Sequence, residues 1–437
     1  MSFSSSTLLH SDHSLWKAST DPTAFVSYAA PRESVSTDVL IIGAGYCGLS
    51  AAIALRDAGL NVIVVDAAQP GAGGSGRNGG QIWPGLKMTA EQLDRHFGSG
   101  VGERAARLST RAPQAVYSLI DRFGIECEDF RGGVVRAAHS EKTFQDMQEQ
   151  APSWQAVGDS IEVLDREGVA TLTGSLRYCG GLLHRTGGSL HPLKFAVGLA
   201  KAAVGVGVTI FGNSMVAGLE STADGWVASF GTGANTPVLR AKRVFLATDA
   251  YTTRLIPALG ASYIPLFSYQ AATRRLTDAE WAQVCPGGHA VSDSQRLLRY
   301  FRRGPGQRLI MGGRGPFTDT PALHQAKRLV RYMGQVFPFL ADVEIEYCWG
   351  GRVAMTTDHI PRLTSPAPNL TAAIGYNGFG VALSTLFGSL IGRALATGDL
   401  RGIDYPETRL TPIPLHRFHH LPVRVLIAMY AALELLS

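Results

Sequence analysis

The sequence predicts an α/β protein of two interleaved domains. One holds a mainly parallel sheet collected from separated stretches of chain. The other is an α+β domain built on an antiparallel sheet. Three observations carry this. A continuous apolar run at 39–42 leads into Gly43-x-Gly45-x-x-Gly48, a helix and a second apolar run at 61–65, which is one βαβ unit. Further apolar strands return far along the chain, at 242–248 and 370–374. Between them, residues 262–320 alternate and carry several aromatics, as an antiparallel sheet does.

In chain order, residues 1–36 are Ser-rich and are expected to be an irregular surface leader. Residues 46–58 read as a helix that Gly59 ends. Residues 67–86 form a long glycine-rich loop, and loops of that length in a compact domain are usually functional. Helical spacing runs over 89–123, with a further helix near 141–156 between short strands at 133–137 and 161–164. RTGGSLHP punctuates the chain at 185–192; a helix at 192–204 and a strand at 208–211 follow. Strands at 216–219, 226–230 and 238–240 form a meander through the turns TADG and GTGAN. Strands at 297–302 and 308–312, a helix at 323–337 and a last helix at 381–396 complete the reading.

The chain has 437 residues, 45% hydrophobic, enough for a large core. Its 50 glycines with only 17% charged residues exclude disorder and coiled coil, and the lack of a fixed period excludes repeats. The net charge of +5 is scattered rather than striped, which argues against nucleic acid and suits an anionic cofactor or substrate. Five widely spaced cysteines without a CxxC motif indicate reduced thiols in the cytoplasm and no metal site. No secretory signal opens the chain, and no uncharged apolar run approaches the length of a membrane span. The apolar segment 425–433 reads as part of a C-terminal amphipathic helix. Docking on its own protein is favoured over contact with a membrane surface.

The glycine motif carries specific chemistry. Gly43 makes the tight turn, Gly45 lets a pyrophosphate approach the backbone, and Gly48 lets helix and strand pack closely. Asp66, at the end of the second strand, is placed to accept hydrogen bonds from ribose hydroxyls and disfavours a 2′-phosphate. Ser75-Gly76-Arg77-Asn78-Gly79-Gly80-Gln81 offers backbone N–H groups, a hydroxyl and a guanidinium, a nest for pyrophosphate or a flavin edge. It interrupts the βα alternation that a nicotinamide dehydrogenase would continue. Gly375 to Gly380 precedes a late helix and could aim its N-terminus at the flavin edge that becomes anionic on reduction.

On TDVLIIGAGYCGLSAA, GSGRNGGQI, the Gly-Gly of RTGGSLHP and LIMGGR, the sequence resembles the FAD-dependent amine and amino-acid oxidases of the D-amino-acid oxidase superfamily, over about residues 12–435. The resemblance implies a split Rossmann-like FAD domain and an antiparallel substrate domain over the flavin. It implies oxidation of a C–N bond by hydride transfer to flavin N5, imine hydrolysis, and reoxidation commonly by O2 to give H2O2. By position, Gly43, Gly45, Cys47 and Gly48 would hold the pyrophosphate, Asp66 the ribose, and Ser75 to Gln81 the pyrophosphate and flavin. Val216 would meet the adenine, Ala247 and Thr248 the AMP half, and Asn377, Gly378, Phe379 and Gly380 the isoalloxazine. Asp249 stands where such proteins often have Gly or Asn. The implied substrate is a small amine, in the nearest subfamily a primary amine on a chain that carries a carboxylate.

The implied domain pattern is a leader (1–36), FAD domain (37–95), substrate domain (96–184), FAD domain (185–260), substrate domain (261–345), FAD domain (346–400) and a tail (401–437). Catalytic candidates are Trp349 as a wall, Arg314 as a carboxylate anchor (with Arg302 and Arg303 nearby), Tyr300, and His359. Cys348 is expected to be a buried thiol, so that FAD is held noncovalently; GRNGGQIW offers no histidine for attachment. A dehydrogenase that passes electrons to a quinone or protein partner remains open, as does a secondary amine oxidase.

Overall fold

The computed structural model describes residues 14–230, 236–252, 255–295, 298–315 and 322–416, with side chains undescribed at 322–325. Two eight-stranded sheets organise it. In the first, Val35–Ile42 lies between Val62–Val65 and Val238–Leu246, all parallel. Thr209–Phe211 extends one edge, and Leu370–Ile374 with Arg362–Ala367 the other. Its central strands are buried on both faces, which is why they read as unbroken apolar runs.

Helices Tyr46–Asp57 and Gly380–Thr397 pack on one face, and glycine sets their approach. A Cβ on Gly388 would lie 2.2 Å from the Cys47 carbonyl oxygen, and one on Gly392 2.5 Å from that of Ala51. Gly380–Thr397 is the one described helix long and apolar enough to cross a membrane, but it is mostly buried inside the protein.

The second sheet runs Ile345–Met355, Ile264–Thr273, Arg308–Arg314, Arg299–Gly304, Ala290–Asp293, Val134–Ala138, Gly180–His184 and Ile161–Leu164. All its pairings are antiparallel except that of Ala290–Asp293 with Val134–Ala138. Helix Ala322–Val336 packs on one face through Leu329, Val330 and Met333. The other face looks toward the glycine-rich loop.

Several expectations are corrected. The N-terminal segment is not all surface: Leu15 and Trp16 are buried, and the Trp16 indole donates to the Asn78 carbonyl (2.9 Å). An indole has an apolar body that finds the core and an N–H that needs a partner. Residues 1–13 lie outside the described residues, as do the GTGAN turn and the 425–433 segment. The helical stretch 89–123 is three helices, Ala90–Phe97, Val101–Thr110 and Ala112–Phe123, broken at Gly98, Gly100 and Arg111. The third meander strand and the buried return strand are one, Val238–Leu246: its first half pairs with Gly225–Ser229 and its last half with Leu370–Ile374.

Two domain boundaries move. Ile345–Met355 pairs with Ile264–Thr273, so 346–355 belongs to the second sheet. Residues 101–123 share the hydrophobic core of the first sheet's helices, because their apolar faces turn that way.

Candidate active site

The first cluster surrounds the N-terminus of helix Tyr46–Asp57. Gly43 has φ +112°, and a Cβ there would lie 2.7 Å from the Ala247 carbonyl, so this turn accepts only glycine. A Cβ on Gly48 would lie 1.9 Å from the Gly43 oxygen, which shows the close helix–strand approach. Asp66 accepts from the amides of Ala44 (2.7 Å) and Ala68 (2.9 Å), and burial raises its pKa. Ser75 Oγ accepts from the Tyr46 amide (3.1 Å), tying the second glycine loop to the first. Val216 is buried beside this sheet, and Thr248 Oγ1 bonds Thr252 Oγ1 (2.5 Å). The Cys47 side chain faces the core: Tyr376 Oη donates to its sulfur (3.2 Å), and burial pushes the thiol up to about 12. Only the Cys47 backbone is left for a ligand.

The second glycine loop is braced from all sides. Asn78 Nδ2 donates to the carbonyls of Ser75 (2.9 Å) and Gly74 (3.1 Å), and its Oδ1 accepts from the Gly80 amide (2.7 Å). A Cβ on Gly76 would strike the Gly71 oxygen, and Gly80 has φ +71°. The Arg77 carbonyl accepts from Gln270 Nε2 (2.5 Å) and Trp349 Nε1 (3.1 Å). Arg302 Nη1 donates to the Leu190 carbonyl (2.6 Å) and reaches those of Gly79 and Gly80 (3.4 Å each). This cradle of glycines with fixed carbonyls and a buried carboxylate fits a dinucleotide. Asp66 would hold its ribose, and the amides around Gly45 and Ser75 its phosphates.

Beyond the loop, the second sheet, the loop itself and the 377–381 segment line a cavity of about 470 Å³. Arg77, Asn78, Gly79, Gln81, Tyr300, Arg314, His359 and Asn377 to Phe379 all line it. Tyr300 Oη bonds Ser268 Oγ (2.9 Å), and burial pushes the phenol up to about 12. Asn377 (φ +55°) is locked by the Thr356 amide (2.9 Å) and the Gly375 carbonyl (2.5 Å). Phe379 stacks on Trp83 (centroids 5.7 Å, 11°), ahead of the helix that Gly380 opens. His359 is exposed, in a left-handed turn (φ +59°), and partial desolvation with Lys87 and Arg314 nearby lowers its pKa.

Trp349 is placed differently from its expectation as a wall. It is 1% exposed, stacks edge-on against Trp16 (5.7 Å) and props the loop from behind. Arg302 and Arg303 are no carboxylate anchors, because their N–H groups are committed to backbone carbonyls, those of Arg303 to Val284 and Trp281 (2.7 Å each). Cys348 sits in the second sheet's core, where burial pushes the thiol up to about 12.

Residues that sequence reasoning missed also line the cavity: Lys87, Arg136, Trp154, Asp159, His184 and Gln270. Gln270 is 1% exposed. Its Nε2 faces a carbonyl, so its Oε1 must be the free end, and Oε1 has no hydrogen bond within the described protein. Burial, with Arg314 and Arg136 nearby, lowers Lys87 to about 8. A charged or amide residue in an otherwise apolar strand was the available signal for Arg136 and Gln270.

The comparisons agree with this geometry. The chain belongs to the FAD dependent oxidoreductase (DAO) family, whose pattern matches residues 38–394. Gamma-glutamylputrescine oxidoreductase of Escherichia coli is 30% identical over 406 residues, 92% of this chain and 94% of its own. A probable oxidoreductase, OrdL, of Rhizobium meliloti is 31% identical over 391 residues, 89% of each chain. Among solved structures, iminodiacetate oxidase from Chelativorans superposes with TM-score 0.69 at 18% identity, covering 86% of this chain and 98% of that one. Glycine oxidase from Geobacillus kaustophilus gives 0.68 at 20%, covering 87% and 97%. The protein is therefore an FAD-dependent oxidoreductase.

Proposed function

We propose that the protein oxidises a primary amine whose chain carries a carboxylate, of the gamma-glutamylated amine type, with noncovalent FAD and O2 as acceptor. The observation that carries the reading is the charge of the cavity. Arg77, Lys87, Arg136, Arg314 and Arg352 line it against two carboxylates, Asp159 and Asp293. These two are engaged, by His184 and by the amides of Gln295 and Arg299. A concave site with that excess selects a ligand bearing an anionic group. The similarity to a gamma-glutamylputrescine oxidoreductase supports the amine, and the thiols without disulfides support the cytoplasm.

FAD, when bound, supplies the two-electron acceptor for the C–N bond. The chain's residues do the rest. Phe379, Trp83 and Tyr300 exclude water. Gln270 Oε1 is an acceptor free for an amine N–H. The neighbouring cations disfavour an ammonium, so the amine is held neutral without a dedicated base. Arg314, at a strand end in the cavity wall, adds to the positive charge near the loop. Burial of Cys348 away from the cavity supports noncovalent attachment.

The test is a panel of amines under nitrogen with the purified yellow protein. Bleaching by a gamma-glutamylated diamine, and peroxide when air is readmitted, is the expected result. Bleaching without peroxide would instead favour a quinone or protein acceptor. Failure of every amine to bleach the flavin would overturn the reading.

A further inference from the structure

The far part of the cavity holds polar atoms that the proposed chemistry does not use. Strand Val134–Ala138 pairs with Gly180–His184 so that Val134 faces His184 and Arg136 faces Leu182. Arg136 and His184 therefore share one face of the sheet as diagonal neighbours. His184 Nδ1 lies 2.8 Å from Asp159 Oδ2, and both residues are 5% exposed. The Arg136 guanidinium lies over the Trp154 ring at 5.7 Å and makes no ion pair or hydrogen bond among the described residues. Three buried atoms here have no hydrogen-bond partner in the described protein: Trp154 Nε1, His184 Nε2 and Asp159 Oδ1. Buried polar atoms left without a partner are costly, and so many at one wall of a cavity call for a ligand. The donors at this wall are Arg136 and Trp154 Nε1. The acceptors are Asp159 Oδ1 and the His184 Nε2 lone pair that remains when the Nδ1–H donates to Asp159.

We infer that this wall is a binding site for an α-amino-acid head group, a carboxylate and an ammonium on one carbon. The carboxylate lies on Arg136 and Trp154 Nε1, and the ammonium on His184 Nε2, backed by the Asp159 charge. Trp83, edge-on to His184 at 5.4 Å, closes the pocket. Val134–Ala138 and Gly180–His184 lie two and three strands beyond the strand that bears Tyr300, roughly 10–14 Å along the sheet at ~4.8 Å per strand. A substrate with its head at this wall and its reacting amine near Tyr300 needs a flexible spacer of that length. The inference deepens the proposed function and rests on it for the identity of the reacting end.

Three amides of one diamine test it on the holoenzyme: the gamma-glutamyl compound, the glutaryl compound without the α-ammonium, and the 4-aminobutyryl compound without the α-carboxylate. Flavin bleaching under nitrogen gives the efficiency of each. The gamma-glutamyl compound should exceed both others by about tenfold or more, the scale of one charge-assisted hydrogen bond. Arg136→Gln should lower the two carboxylated compounds about tenfold and leave the 4-aminobutyryl compound unchanged; Asp159→Asn should lower the two ammonium-bearing compounds and spare the glutaryl one. Equal efficiency of all three in the unaltered enzyme overturns the inference and leaves the amine reading standing. A second measurement needs no turnover. Gamma-glutamylethylamide, which has the head without the terminal amine, should raise the melting temperature at millimolar concentration, and Arg136→Gln should abolish the rise. No rise overturns the head-group site by itself, whereas no bleaching by any amine overturns the proposed function.

Discussion

The contact between the two glycine loops gives a sharp prediction. Gly45 has φ −90° and ψ −172°, extended backbone that alanine adopts freely, so substitution there adds no backbone strain. What it adds is a Cβ 2.7 Å from Ser75 Oγ, an approach that ordinary contacts do not make. The serine must rotate away, and its bond from the Tyr46 amide is lost. A buried donor left unpaired costs about 1–3 kcal/mol. At about 1.4 kcal/mol per decade, Gly45→Ala should weaken FAD about 5- to 150-fold. The assay is the flavin retained after gel filtration, followed by titration of the apoprotein with FAD. Ser75→Gly removes the obstacle along with the bond, so adding Gly45→Ala to Ser75→Gly should cost much less than adding it to the unaltered protein. Gly45→Val, whose methyls enter the space a pyrophosphate needs, should purify colourless or fail to fold. Wild-type FAD affinity in Gly45→Ala, or full additivity in the double variant, would refute the reasoning.

Three more expectations follow from single contacts. Burial raises Asp249 to about 6, above its ordinary 3.8, so its contribution to stability is complete below pH 3.8 and lost as pH rises through 6. Asp249→Asn keeps an acceptor for the Gly375 amide (2.7 Å) without the charge and should stabilise the protein at pH 7–8 by at most about 3 kcal/mol, with little effect near pH 4, as read from melting temperature against pH. Gly388→Val should force the two core helices apart and yield insoluble or FAD-free protein, whereas Gly402→Ala, with nothing within 4 Å, should purify like the parent. Arg302→Met should lower the melting temperature and FAD retention without changing the preference among the three acyl amines, because its N–H groups hold the loop carbonyls; a changed preference would put Arg302 in the substrate site.

What the sequence could reveal followed from how local each constraint is. Gly43, Gly45, Gly48 and Asp66 lie within one βαβ unit, and their spacing encodes a turn, a close approach and a strand end without reference to the rest of the chain. Trp16 stands in a short Ser-rich stretch with no periodic apolar pattern, so its burial is not legible locally. Its partners, the Asn78 carbonyl and the Trp349 ring, come from elsewhere. Arg302, Arg303 and Arg314 look alike as basic residues on neighbouring strands. Only the pairing separates them: the first two turn to backbone carbonyls while the third lines the cavity.

The wall of Arg136, Trp154, Asp159 and His184 shows the same limit in another form. Alternation along a strand predicts which residues share its face, but not which residue of the next strand lies opposite. Arg136 and His184 become neighbours only through the register of Val134 with His184, and Trp154 and Asp159 arrive from a helix and a loop that cross that edge. The second sheet thus has two ends with different duties. Near Ile264–Thr273 and Ile345–Met355, Gln270 and Trp349 both bond the Arg77 carbonyl, so this end is tied to the cofactor loop. Among the described residues, the bonds that tie the Arg77 carbonyl come from Gln270 and Trp349 and not from the Val134–Ala138 and Gly180–His184 end, so the polar atoms of that end can vary with the substrate. Substitutions at that end should therefore change which amine is oxidised while FAD retention stays at the parental level. Substitutions at Gln270 should change both, because the same side chain reaches the loop and the cavity.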